Sequence, residues 1–327
     1  MRWQIVATMG VTVLLAVTDA GAVDFTLTGN QHLDVSTSYD TGYLYDSTSA
    51  DVLKDGHIGS AYVNNCAVLR VSGGSIDSTL DASGASSVNM SSGFVAFLFA
   101  QSTGVINVNG GTVDKLFSAG ANAVNVNDGS VSMLFAHSGA NVYGGTVGVV
   151  QLYSTLDVFG GTVAGVHAFG GSTANLSGGS ISSLLLVGGT LNFYGGAGDA
   201  LNVFVTSTAN VFGGSIGGGL WAHDTATVNV SGGNISGGIS AVDASTITFY
   251  GTDFQATGGL TLDGNTVLGT GVLSGKWSNG TPWSLEITNH AASATIRAVP
   301  EPSTFVLLGM GTVGLLAFAW RRRRAST

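Results

Sequence analysis

Apolar and polar residues alternate along most of the chain, in runs that are short and bounded by glycine. Between residues 51 and 254, Val, Ile, Leu and Phe alternate with Asn, Ser, Thr and Gly. A period of two is typical of β-strands, because successive side chains of a strand point to opposite faces. The pattern therefore predicts many short strands separated by turns.

One seven-residue motif recurs through this region, most clearly at Asn107–Val113, Asn141–Val147 and Asp157–Val163. About twelve copies can be aligned, with last residues at 58, 76, 95, 113, 131, 147, 163, 181, 198, 216, 235 and 254. The steps between them are 16–19 residues long. A repeat of this length cannot bury its apolar positions alone, so it predicts the stacked coils of a solenoid.

Particular positions of the motif explain how the coils would stack. The second position is apolar in every copy, and the seventh is apolar in every copy except the one ending at Gly198. A further apolar residue follows three residues later, or four in the 19-residue steps. The fifth position is Gly except at Thr252, which predicts a corner with positive φ. Asn at the first position of eight copies predicts a ladder of stacked amides.

We therefore predict an all-β, single-stranded β-solenoid, a parallel β-helix of about 12 coils of 16–19 residues over residues 51–254. At ~4.8 Å per coil the rod would be about 55–60 Å long. Residues 23–50 and 255–298 lose the repeat but keep aromatic and strand-like patterns, so we predict N-terminal and C-terminal caps that protect the ends of the sheets. A left-handed hexapeptide helix is the alternative, but no regular six-residue period is present.

Charge excludes one class of partner. Charged residues make up 9% of the chain, the net charge is −9, and four of the ten cations lie in the run 321–324. Between Val71 and Phe254 the only cation is Lys115. Such a surface cannot neutralise a row of phosphates, so we expect no nucleic-acid partner. The single cysteine, Cys66, excludes an internal disulfide and is expected to be a small core residue.

The N-terminus has the pattern of a secretory signal peptide over residues 1–22. Arg2 precedes an apolar run from Ile5 to Val17, and Ala20-Gly21-Ala22 forms a small-residue cleavage site for signal peptidase. Cleavage after Ala22 predicts an exported chain that begins at Val23. An uncleaved membrane anchor is the alternative.

The C-terminus, residues 299–327, has three consecutive parts. These are the motif Val299-Pro300-Glu301-Pro302, an apolar run from Phe305 to Trp320, and the cluster Arg321, Arg322, Arg323 and Arg324. Sixteen helical residues rise about 24 Å, which is short for a ~30 Å hydrocarbon core. Flanking cations hold their end of such a helix in the cytoplasm. We predict a transmembrane helix over 305–320 that anchors the chain briefly.

Val-Pro-Glu-Pro, a short hydrophobic helix and an arginine cluster together resemble the PEP-CTERM sorting domain of bacteria that make exopolysaccharide. The resemblance implies processing by an exosortase-like membrane enzyme, a transient inner-membrane anchor, and then the cell surface, outer envelope or extracellular matrix. The coils broadly resemble the Gly- and Asn-rich β-helices of autotransporter passengers and other adhesins.

Candidate catalytic groups are few. Glycoside hydrolysis needs two carboxylates about 5–10 Å apart, whereas Asp114, Asp128, Asp199 and Asp243 fall at different repeat positions. His137, His167 and His223 lie six, four and seven residues after their copies end, which predicts different columns and no metal row. We expect no catalytic, metal or cofactor site, and a structural or adhesive role with exopolysaccharide as a possible partner. The alternative is a β-helix enzyme that binds or cleaves polysaccharide.

Overall fold

A computed structural model of the chain describes residues 4–6, 23–120 and 123–300. These residues form an all-β parallel β-solenoid of about 12 turns, and they include no helix. The predicted fold class is therefore confirmed. The predicted helix over 305–320 lies outside the described residues.

Each coil contributes one strand to a short stack and one bent strand to a long stack. The short stack contains β3 (His32–Val35), β5 (Ser49–Leu53), the first parts of β7 (Val68–Ala82) and β8 (Ser87–Ala100), β9 (Val105–Val108), β11 (Ala123–Val126), β13 (Ala140–Val142), β15 (Thr155–Val158), β17 (Thr173–Leu176), β19 (Thr190–Phe193), β21 (Thr208–Val211), β23 (Thr227–Val230), β26 (Thr246–Gly258) and β31 (Thr295–Pro300).

The long stack contains β2 (Asp24–Leu27), β4 (Ser38–Leu44), β6 (His57–Val63), the second parts of β7 and β8, β10 (Thr112–Ser118), β12 (Ser130–Ala136), β14 (Thr146–Leu152), β16 (Thr162–Phe169), β18 (Ser180–Val187), β20 (Ala197–Phe204), β22 (Ser215–Ala222), β24 (Asn234–Ile235), β25 (Ile239–Ala241) and β30 (Pro282–His290). The remaining strands are β1 (Gln4–Val6), which pairs with β2, and β27 (Thr261–Asp263), β28 (Thr266–Leu268) and β29 (Gly271–Lys276) near the C-terminal end.

Equivalent motif positions pair with each other from coil to coil. Asn107 pairs with Asn125 in the short stack, and Val113 pairs with Val131 in the long stack. Val108, Val113 and Leu116, which represent the three predicted apolar positions, are completely buried. Stacking like on like joins these positions into one continuous hydrophobic core, as the repeat predicted.

The glycines at the fifth motif position turn the chain between the two stacks. Nine of them have positive φ: Gly93, Gly111, Gly129, Gly145, Gly161, Gly179, Gly196, Gly214 and Gly233. Gly56 and Gly74, in the first two copies, do not. At Gly56 a Cβ atom would meet the carbonyl oxygen of Val35, so close approach of the backbone explains glycine there.

One copy lacks an apolar seventh residue, and a larger side chain at another core position of the same coil fills the space. Gly198 pairs with Ile181 and Ile216, and it leaves the space that an isoleucine would fill. Phe193 fills that space, because a Cβ atom on Gly198 would lie 3.4 Å from Cε2 of the buried Phe193 ring. The two residues therefore exchange volume within one coil.

The two flanks close the rod differently. Residues 23–50, which the repeat analysis set apart as a cap, continue both parallel stacks: β3 pairs with β5, and β4 pairs with β6. After β26 the chain forms antiparallel hairpins, in which β29 pairs with both β26 and β30. β30 and β31 then return to pair in parallel with β25 and β26. The hairpins therefore lie beside the last coils of the solenoid.

The expectation that Cys66 is a core residue was wrong. Cys66 is exposed and follows Asn65, whose φ is 57°, in a turn. The inward alternation begins one residue later, at the buried Ala67 and Leu69. The apolar run begins inside a turn, so its first buried residue is Ala67, one residue later than predicted.

The exchange of volume between Phe193 and Gly198 can be tested by a double-mutant cycle. Gly198→Ile overpacks the core and is expected to cost about 1–3 kcal/mol. Phe193→Leu leaves a cavity and also destabilises the protein. The double variant restores the residue types of the neighbouring coils, so denaturant unfolding should show that most of the loss is recovered. Additive losses would contradict this account.

Candidate functional site

The outer face of the short stack carries a column of hydrogen-bonded amides, which we call the amide column. Asn107 Nδ2 donates to Asn89 Oδ1 at 2.8 Å, and Asn125 and Asn141 continue upward with bonds of 2.9 Å each. A second run starts at Asp157, whose Oδ1 accepts from Asn175 at 2.8 Å. Asn192, Asn210 and Asn229 extend it with bonds of 2.8–3.0 Å. The predicted ladder is therefore confirmed.

Asp157 is the point where the column breaks. It pairs in register with Asn141, yet no hydrogen bond joins these two described side chains. Asn141 already donates its amide to Asn125, so its oxygen faces Asp157, and a carboxylate has no proton to donate. The column therefore consists of two separate hydrogen-bonded runs. Within each run, every Asn amide donates in the same direction along the axis.

Below Asn89 the same column becomes charged. Arg70 donates to Asp51 Oδ1 at 3.0 Å, and Asp34 pairs in register with Asp51. His32, Asp34 and Asp51 place one potential ligand atom each within 4.8 Å of the others. These atoms already have partners, since His32 Nε2 lies 3.0 Å from Asp34 and Arg70 neutralises Asp51. The group is therefore a hydrogen-bonded His32–Asp34 pair beside the Arg70–Asp51 ion pair.

Aromatic side chains form a second column on the outer face of the long stack, which we call the aromatic column. Phe117 stacks between Phe99 and Phe135, with ring centroids 4.8 and 4.4 Å apart. Tyr43 and Tyr62 stack lower down at 5.2 Å. Sequence analysis missed this column, although Tyr62, Phe99, Phe117 and Phe135 each lie four residues after a seventh motif position.

Asp81 interrupts the aromatic column between Tyr62 and Phe99. Burial raises the pKa of its carboxyl above the ordinary value of 3.8. Its Oδ2 accepts from Gln101 Nε2 at 3.1 Å, whereas Oδ1 is buried and has no hydrogen-bond partner. The carboxylate is therefore poorly solvated in its charged form.

Aromatic residues also line the turn that follows the short stack, at the third motif position, which we call the turn column. Tyr143 stacks on Phe159, and Tyr194 stacks on Phe212, each at 5.0 Å. Ser177 occupies the coil between the two pairs. All four rings are about half exposed. Another outer column contains stacked His137, Tyr153 and Phe169.

The histidines do not gather. His137 and His223 share one column, contrary to the prediction, because β22 has a register shift that absorbs the extra residue of its coil. They lie five coils apart, roughly 24 Å at the usual strand spacing. His137 stacks on Tyr153 and His223 stacks on Phe204. Each is thus a rung of an aromatic stack.

The candidate carboxylates also lie apart. Asp114 and Asp199 share one corner of the solenoid, contrary to the prediction, because each follows the seventh motif position by one residue. They are nevertheless separated by five coils, again roughly 24 Å. Asp128 lies in the turn column's loop, where it accepts a bond from the N–H of Gly129. Asp243 lies at a turn with a φ of 57°. Turn geometry accounts for the last two positions.

The C-terminal hairpins line a cavity of about 450 Å³ that opens to solvent. Trp283 packs against Trp277 at 4.6 Å and lines this cavity with Phe254. Lys276 and Asp253 form an ion pair of 2.8 Å at its rim. The Trp283 N–H is buried and has no acceptor. Trp277 and Trp283 lie in the predicted C-terminal cap, residues 255–298, where no cavity was predicted.

The sorting motif begins inside the last strand of the solenoid. Val299 pairs with Tyr250, and Pro300 pairs with Gly251. Glu301, Pro302 and the cluster Arg321–Arg324 lie outside the described residues, as do Ala20 and Ala22 of the predicted signal peptide. The described residues contain no helix that could span a bilayer.

Comparison with known families identifies the tail. Residues 298–324 match the model of the PEP-CTERM protein-sorting motif. No curated protein and no solved structure matches the chain. The motif implies exosortase-dependent export of a surface protein with a transient membrane anchor, here attached to a β-solenoid.

The amide column predicts a specific cost for a misplaced carboxylate. Asn192→Asp removes the donor to Asn175 and leaves two acceptors facing each other. We expect a loss of about 1–3 kcal/mol, because one acceptor loses its partner. Asn202→Asp is the matched control, since it adds the same charge on the outer face of the long stack. Equal stability of the two variants in thermal unfolding would contradict a structural role for the ladder.

Asp81 predicts a pH dependence whose sign follows from its raised pKa. A carboxyl with a higher pKa in the folded state favours folding when it is protonated, so its unfavourable effect develops as pH rises from about 4 through the folded pKa. Asp81→Asn should therefore raise the melting temperature at pH 7, and this advantage should shrink as the pH falls towards 4. Asp114→Asn, which removes a corner carboxylate, is the matched control, and an equal dependence on pH in the two variants would contradict this account.

Proposed function

We propose that this protein is a non-enzymatic rod with a structural or adhesive role in the cell envelope or extracellular matrix, delivered by an exosortase-like system. The observation that carries the proposal is the direct junction of a sorting motif with a solenoid whose outer faces repeat. Pro300 belongs to both, because it is the first residue of the Pro-Glu-Pro motif and, as part of β31, it pairs with Gly251 of β26.

Repetition of the outer faces supports a structural role. The amide column presents the same polar group in eight coils, and stacked aromatic rings recur in the turn before the long-stack strands and again near the ends of these strands. A surface of this kind offers many equivalent contacts rather than one special site. Extended partners such as exopolysaccharide chains suit it, because they also repeat.

The alternative function is binding or cleavage of polysaccharide. Of these two activities, the surface favours binding without cleavage. Half-exposed aromatic rings beside amides are suitable for sugar contacts, since ring faces attract C–H groups and amides bind hydroxyls. A hydrolase would need two carboxylates about 5–10 Å apart, and Asp114 and Asp199 are separated by five coils. The carboxylates of Asp34 and Asp51 do lie close together, but His32 and Arg70 already contact them. We propose binding rather than catalysis.

The sorting part of the proposal is tested in the native host by replacing Pro300, Glu301 and Pro302 with Ala. We expect the wild-type protein to appear in the envelope or matrix fraction, with an intact mass that begins near Val23 and ends near Pro302. The triple variant should keep its tail and remain in the inner membrane, because the processing enzyme no longer recognises it.

Ser303→Ala with Thr304→Ala is the matched control, since it changes adjacent residues and leaves the motif intact. A wild-type chain that keeps its full tail in the inner membrane would overturn the processing model. Reducing ends released from the host exopolysaccharide by the purified protein would instead establish the cleaving alternative.

A further inference from the structure

Ser177 leaves one rung of the turn column open. The N–H groups of Phe159, Ser177 and Tyr194 donate to Val142, Val158 and Leu176, so these three residues occupy successive coils. Phe159 and Tyr194 each stack on an aromatic ring on their far side, and their near sides face the space above Ser177. We call this space the open rung.

The open rung has the thickness of one ring. Tyr143 and Phe159 are 5.0 Å apart over one coil, as are Tyr194 and Phe212. Phe159 and Tyr194 are two coils apart, so their centroids are separated by roughly 10 Å. A ring placed midway would lie about 5 Å from each, which is an ordinary stacking distance.

Polar groups beside the open rung select the kind of ring. Asp157 and Asn175 lie two residues before Phe159 and Ser177 on the same outer face. Asn175 uses one of its two amide N–H groups to bond Asp157, which leaves a second donor for a ligand hydroxyl. The carboxylate of Asp157 can accept from another hydroxyl. A ring with apolar faces and a hydroxylated edge matches both features.

Charge narrows the ligand further. The sequence contains no Lys or Arg between Lys115 and Lys276, whereas Asp157 adds a negative charge beside the open rung. An anionic sugar such as a uronate would meet no counter-charge there. We infer that the open rung binds one neutral pyranose unit of a polysaccharide, sandwiched between Phe159 and Tyr194 above Ser177. This inference rests on the proposed polysaccharide-binding role and gives it a location.

The test fills the open rung with a side chain. The full-length chain, purified in a detergent without sugar groups, is titrated with cellohexaose by calorimetry and by saturation-transfer NMR. We expect wild-type protein to bind it and Ser177→Tyr to bind at least tenfold more weakly. Ser177→Tyr should also melt at a higher temperature, because it completes the aromatic stack, so unfolding cannot explain the lost binding.

Two controls separate the open rung from other effects. Asn127→Tyr adds a ring beside Tyr143 at the far end of the same column, and it should leave cellohexaose binding within twofold of wild type. Hexagalacturonate, an acidic probe of equal length, should bind at least tenfold more weakly than cellohexaose.

Unchanged binding by Ser177→Tyr would overturn the assignment, as would a wild-type chain that binds neither probe. Tighter binding of hexagalacturonate would overturn the neutral specificity. None of these results would alter the tail processing measured in the host, so failure of this site and failure of the sorting model can be distinguished.

Discussion

Parallel pairing in register between successive coils is the interaction on which the rest of this structure depends. Each residue of a strand lies over its equivalent 16–19 residues away, about 4.8 Å along the axis. The side chain at every position is therefore surrounded by the side chains at the same position of the coils above and below. Val113 on Val131, Asn107 on Asn125 and Phe117 on Phe135 are three results of this one constraint.

Register pairing restricts the residue type at inward positions more than at outward positions. This difference explains how much of the structure could be predicted from the sequence. Inward residues such as Val108 and Leu116 must be apolar in each coil, so their period was visible and gave the fold class and register. The amide column was also visible, because Asn recurs at one position. The aromatic column was missed because its outward position also contains Asp81, Gln151 and His167.

Local irregularities account for the other differences. Cys66 belongs to a turn whose neighbouring apolar residues hid its boundary. His223 was misplaced by one residue because a register shift in β22 absorbs the insertion. The C-terminal cavity around Trp283 could not be derived from the repeat, since antiparallel hairpins bring together residues from β26, β29 and β30 without any period. In the sequence, the exchange between Phe193 and Gly198 appeared only as one copy whose seventh residue is not apolar.

Stacking also determines where such a rod can bind selectively. A ring inside a ladder uses both faces on its neighbours, so it presents only its edge to solvent. Ring faces are available only at the ends of a column and where the column is interrupted. Asp81 interrupts one column with a carboxylate, whereas Ser177 interrupts another with a short side chain that leaves space. Repetition gives the rod its stability and uniform surface, and the breaks in repetition are the positions where one coil differs from the next.

The junction with the tail follows from the same geometry. β31 is the last strand of the short stack, and its pairing with β26 extends as far as Pro300 and Gly251. A tether that starts at Glu301 is therefore attached at the end of the rod where the hairpins lie, with no free linker between body and motif. Cleavage near Pro302 would remove the tail without breaking any pairing of β31.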